Sequence, residues 1–151
     1  MNRLEEGALV LTFVVMTVVA FVNVVTRYVI QYSLAFTEEI VVSLFVWLTL
    51  LGTAVAFREG SHLAFTYLVE RAPRPLRRVS LALTTGLTIA LFALLLYFGV
   101  GQINNERLMG TTSEALAIPQ WWYTAGIPLF SALIIVRVAQ AARRAWRDVG
   151  G

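Results

Sequence analysis

The chain has 151 residues, 58% of them hydrophobic and only 14% charged, against roughly 45–50% and 25% in ordinary soluble domains. A soluble fold of this length leaves much of its area in water and cannot hide so much apolar surface, so the composition excludes a soluble domain and points to an integral membrane protein. There is no cysteine and a single histidine, His62, which excludes disulfide frameworks, thiolate metal sites and bis-histidine haem within the chain. The net charge of +3 comes from arginines that sit between apolar runs. Membrane topology accounts for them better than a nucleic-acid footprint does, and no nucleic acid partner is expected.

Residues 7–26, 40–57, 79–105 and 115–136 carry no charge. About 20 helical residues cross a hydrocarbon core of about 30 Å, so each stretch is long enough, the second only just. The fold class expected is an all-α membrane protein of four transmembrane helices. It forms a single membrane domain over 1–151, with spans near 7–28, 39–57, 79–104 and 118–137. Arg3 precedes the first run, but Glu5 and Glu6 spoil a basic leader and no small-residue cleavage site closes the run; a span is expected rather than a removed signal peptide. With four spans, Arg3, Arg58, Arg71, Arg74, Arg77, Arg78, Arg137, Arg143, Arg144 and Arg147 share one side, and only Arg27 and Arg107 the other. The positive-inside rule then places both termini in the cytoplasm.

At the end of the first span lies Arg27, and Glu38 and Glu39 open the second on the same outer side. They suit a local ion pair fixing the angle of two helices, or a docking surface for another protein. Adjacent carboxylates on a helix point about 100° apart, and no third ligand lies nearby, so no metal or catalytic role is assigned to them. Thr37 before the two acids suits a helix N-cap. Trp47, deep in the second span, must find a partner for its indole N–H or face another subunit.

Arg58 and His62 stand at the inner edge, the histidine suited to interfacial hydrogen bonding. Residues 61–71 alternate apolar and polar at near-helical spacing before prolines stop the run. They are expected to form a short helix on the cytoplasmic interface, with arginines toward membrane lipid head groups. In the third span, Ala82, Gly86 and Ala90 make a small-residue stripe, read as a helix-packing surface. Ser113 before Glu114 reads as a cap for a short helix entering the fourth span. Trp121, Trp122 and Tyr123 read as an interfacial aromatic belt. Pro128 should kink the fourth helix, with Gly126 beside it giving room.

None of the four uncharged stretches holds an acid, arginine or histidine, whereas pumps and active transporters usually carry one near mid-bilayer. The residues therefore favour a scaffold or accessory subunit, with no catalytic, cofactor or metal site. Two other readings stay open: a self-associating small four-helix transporter or channel, and, disfavoured by one histidine and no cysteine, a membrane oxidoreductase subunit.

Several end-residues together resemble a known family. Asn23-Val24-Val25-Thr26-Arg27-Tyr28, then Thr37-Glu38-Glu39, then Gly52 with Phe57-Arg58-Glu59-Gly60-Ser61-His62-Leu63 are similar to the small (DctQ-type) membrane subunit of tripartite ATP-independent periplasmic (TRAP) transporters. Thr112-Ser113-Glu114-Ala115-Leu116-Ala117-Ile118-Pro119 and Gly126-Ile127-Pro128 match its fourth-helix region. The likeness covers about Asn23 to Arg137. It departs at Phe36, where the family often has tryptophan, and it transfers no role to Glu106 or Arg107. The resemblance implies a scaffold subunit, not an enzyme, of an importer of organic acids such as C4-dicarboxylates or sugar acids in the bacterial or archaeal inner membrane. A periplasmic solute-binding protein would deliver the substrate. A large multi-span subunit would carry substrate and sodium sites, so no cofactor or ion is assigned to this chain. Arg27, Glu38 and Glu39 would set helix geometry or meet the binding protein, with Arg58 and His62 doing similar work inside.

Overall fold

The computed structural model describes residues 2–31, 34–59 and 74–150. The expected interfacial helix at 61–71, and His62 with it, lie outside the described residues. Helix α1 spans Asn2–Val25 and runs into one π-helical turn, Thr26–Ile30. Helix α2 spans Ala35–Glu59, α3 Arg74–Met109, the four-residue α4 Trp121–Thr124, and α5 Gly126–Gly150. Four stretches are long and apolar enough to cross a membrane: Leu4–Val29, Ala35–Arg58, Arg78–Met109 and Trp121–Arg147.

Valine crowds α1, and β-branched residues are mediocre helix formers in water. In lipid the backbone has no outside partner for its N–H and C=O groups, so helix is the form that satisfies them. Pro75 sits in the first turn of α3, where a missing N–H costs no helical bond. Gly110 ends α3 in the left-handed region, φ 62°. Thr111 N–H there donates to the Glu106 carbonyl at 3.1 Å, the six-to-one bond of a Schellman cap.

The spans do not form a closed bundle. The main contacts run α1 on α2, α2 on α5, and α5 on α3, a row in which α1 and α3 are the outer members. The small core lies where three helices meet: Ala54 of α2, Phe92 of α3, and Ile134 and Val138 of α5. Elsewhere the apolar surface is open; in α1, Leu11, Phe13, Val18 and Phe21 are all more than half exposed. Lipid tails are as apolar as leucine, so nothing drives membrane helices to enclose a core as water would.

Helix α3 presents Thr85, Ile89, Phe92, Leu96, Gly99, Ile103 and Glu106 as its covered line, a four–three spacing that holds one face toward a neighbour. Ala82, Gly86 and Ala90 lie on another side and are exposed, with open space where a Gly86 side chain would grow. The expected packing stripe is therefore not used within the described residues. Gly99, not Gly86, makes the close approach: a β-carbon there would stand 3.1 Å from Pro128 Cδ. The break expected from Pro128 falls at Ala125, between α4 and α5. The ring clashes with the carbonyl four residues back and removes one helical bond.

Candidate functional site: two polar collars

Twenty residues separate Glu38 from Arg58, a rise of about 30 Å, so the ends of α2 match the edges of a hydrocarbon core. Charged and polar side chains gather at both ends.

At the arginine-rich end, Glu5 of α1 is the hub. One carboxylate oxygen accepts from Arg58 Nη1 at 3.3 Å and the other from Arg137 Nε at 3.1 Å and Nη2. Arg58 Nη2 also pairs with Glu6. Arg137 Nη1 donates to the Gln140 amide oxygen at 3.0 Å. Glu5, Arg58 and Arg137 are only 10–15% exposed, and the cluster ties α1, α2 and α5 together. Arg137 stands about 24 Å of helix rise below Trp121. With Trp121 at the far interface, Arg137 is still inside the edge of the apolar layer, where an unpaired charge is costly. Pairing with Glu5 offsets part of that cost. Arg58 was a candidate from sequence; Glu5, Glu6 and Arg137 were not.

At the opposite end the loop between α3 and α4 is folded onto the helix tips. Glu39 accepts from the Ser113 hydroxyl at 2.8 Å. That hydroxyl oxygen itself accepts from Leu116 N–H at 3.2 Å, and Ser113 N–H donates to the Ile118 carbonyl at 2.8 Å. Ser113 thus closes a local turn, with Ala117 left-handed at φ 53°, and the expected short helix after it does not form; α4 starts at Trp121. Thr37 is not a cap either. It lies inside the first turn of α2, and its hydroxyl donates back to the Leu34 carbonyl.

Trp47 solves its N–H problem inside the chain. Its indole donates to the Tyr123 carbonyl at 3.0 Å and meets Phe130 edge-on at 6.0 Å. Gly126 makes the room: a β-carbon there would overlap the indole nitrogen and come within 2.5 Å of Cδ1 and Cε2. Glu106 is buried, accepting at one oxygen from Gln102 Nε2 and Thr124 Oγ1, each at 3.0 Å. Its burial was legible as the next step of the α3 spacing. Arg107 lies 4.1 Å from the ring centre of Trp121, which itself stacks on Trp122.

Arg27 is exposed on the π-helical turn. Among the described residues it makes no ion pair with Glu38 or Glu39; Glu39 is turned to Ser113, and Glu38 is exposed. Both acids line an open groove of about 420 Å³ with Ser43, Gln120, Tyr123 and Thr124. Among the described residues, no three histidine, cysteine or acidic side chains converge as a metal site.

Four membrane-length helices in a row, with ion pairs and hydrogen bonds linking them at the two ends, define a multi-pass membrane protein. The chain belongs to the DctQ component family of the tripartite ATP-independent periplasmic transporters, whose family model matches residues 16–148. This is a family of transporter components, not of enzymes. The chain is 32% identical over 142 residues to a Haemophilus influenzae protein bearing the name of a TRAP transporter small permease protein, covering 91% of this chain and 86% of that one. It is 28% identical over 110 residues to the C4-dicarboxylate TRAP transporter small permease protein DctQ of Rhodobacter capsulatus, covering 73% of this chain and 48% of the relative. A third relative, the sialic acid TRAP transporter permease protein SiaT of Haemophilus influenzae, is 26% identical over 141 residues; the match takes 93% of this chain but 22% of SiaT.

Proposed function

We propose that this chain is the scaffold subunit of a sodium-coupled, binding-protein-dependent importer of organic acids. It packs against a large permease subunit in the cytoplasmic membrane, with both termini inside. The observation that carries this reading is the division of the molecule: ion pairs and the Glu39–Ser113 bond link helices at the two ends, while among the described residues the broad faces of the row are apolar and exposed. Such a chain has no machinery of its own to enclose and much surface to offer a neighbour. That the match takes only 22% of SiaT supports a unit of this kind working beside a larger permease. The names of the relatives, for C4-dicarboxylates and sialic acid, support an organic acid as cargo. Sodium and substrate sites belong to the large subunit.

Glu38 is an exposed acid at the far end and is assigned to docking of the periplasmic binding protein; Glu39 holds the loop. Co-purification with a large multi-span protein, and loss of uptake when this chain is deleted, are the expected results. Uptake at full rate without the chain, or flux through the purified chain alone in liposomes, overturns the reading. Glu38→Gln with Glu39→Gln should weaken docking or assembly and leave the sodium dependence of uptake unchanged; a shifted sodium dependence would place coupling here. The absence of native cysteine makes the topology easy to test, since a single cysteine added after Gly151 should be labelled only from the cytoplasmic side.

A further inference from the structure

At the arginine-rich end, α2 and α5 leave a small space of about 10 Å³ lined by Phe57, Arg58, Arg137, Gln140, Ala141 and Arg144. We infer that this notch seats the phosphate of an anionic phospholipid of the cytoplasmic leaflet.

Residues 137, 140, 141 and 144 share one face of α5 by helical spacing. Arg137 is spent: Nε and Nη2 hold Glu5, and Nη1 holds Gln140. An arginine only donates, so the Gln140 atom it meets is the amide oxygen, which leaves both N–H bonds of that amide to donate elsewhere. Gln140 and Arg144 are exposed, and among the described side chains no carboxylate pairs with Arg144. An exposed amide NH₂ and guanidinium one turn apart suit a phosphate monoanion. Arg143 and Arg147, also exposed, add positive charge beside them, so the end keeps a positive excess after Glu5 and Glu6 are paired.

Depth identifies the source of the phosphate. Arg144 lies about 35 Å of helix rise from Trp121, beyond the hydrocarbon thickness of about 30 Å and level with head groups. The space holds roughly one water-sized group. It therefore takes one phosphate oxygen, with the rest of the head group outside and Phe57 and Ala141 beneath the glycerol. Basic notches between spanning helices on the cytoplasmic side suit anionic head groups in general. The inference needs the arginine-rich end to face the cytoplasmic leaflet, but not the transport reading.

The test is native mass spectrometry on the full chain, released from detergent with whatever proteins it carries, and titrated with phosphatidylglycerol or phosphatidylcholine. Phosphatidylglycerol should be retained preferentially. Arg144→Gln should weaken its retention about fivefold, as about 1 kcal/mol per basic contact predicts at 1.4 kcal/mol per tenfold, and Gln140→Leu should weaken it about as much through the lost hydrogen bonds to the phosphate. Arg107→Gln, at the other end, should leave retention unchanged. Equal retention of the two lipids, an unchanged Arg144→Gln, or equal loss in Arg107→Gln overturns the site. Displacement of the lipid by millimolar inorganic phosphate overturns the lipid source, marking the notch as a site for an adventitious ion only. Uptake that fails while lipid retention persists would count against the transport reading alone.

Discussion

Glu5 holds two arginines at once, and its replacement is the sharpest probe of the framework. Glu5→Gln keeps the shape but removes the charge. Arg58 retains Glu6, whereas Arg137 keeps only neutral acceptors, the new amide oxygen and Gln140. Breaking a buried ion pair from one side costs roughly 3–5 kcal/mol. The side chains here retain 10–15% exposure, and a long arginine can reach toward the interface, so the lower end, about 3 kcal/mol, is expected. That is a more than hundredfold shift in the unfolding equilibrium. Arg137→Gln alone should cost less, because Glu5 keeps Arg58. The double variant should then be more stable than the sum of the singles implies, by about 1.5–3 kcal/mol, as for groups in one network. Denaturant unfolding in detergent, followed by circular dichroism, measures all four corners of this cycle. Singles that add within about 0.5 kcal/mol, or a Glu5→Gln protein as stable as the parent, would refute the clasp.

Other positions give independent checks. Gly126→Ala should force the indole of Trp47 out of its seat, losing its bond to Tyr123 and costing about 2–4 kcal/mol from overpacking and an unpaired carbonyl; a melting point within a degree of the parent would contradict the tight approach. Ala117→Gly should stabilise by up to about 1 kcal/mol, since a left-handed residue is eased by losing its β-carbon; a loss of stability would mean that φ 53° is not held there. Ser113→Ala should loosen the loop between α3 and α4, seen as faster amide exchange from Thr111 to Gln120. Glu39→Gln, which keeps an oxygen to accept from Ser113, should change it far less. Equal effects of the two would deny the Ser113–Glu39 bond its role.

The number and placement of the spans needed only the sequence, because the cost of charge in hydrocarbon is local: it depends on which residues lie within about 20 of one another, not on the fold. The family likeness, carried by residues such as Arg27, Glu38 and Arg58, was equally readable. The four–three line of α3 from Ile89 to Glu106 also stood in the sequence. The small residues Ala82, Gly86 and Ala90 compete with it as a packing signal, but among the described residues they stay exposed. What needed the tertiary structure was pairing across the chain. Glu5 and Arg137 lie 132 residues apart, and Glu39 and Ser113 are 74 apart; nothing local distinguishes these partners from Glu38 or Arg27. Among the described residues the expected Arg27 ion pair did not form: Glu39 turns instead to Ser113, a partner that only folding brings near. Thr37 is held by the Leu34 carbonyl three residues back, and no helix directly follows Ser113, although its hydroxyl accepts from Leu116 N–H. Composition likewise showed that apolar surface was abundant but not where it would lie. The row of helices decided that, since in lipid an exposed leucine carries no penalty and a closed core is not required.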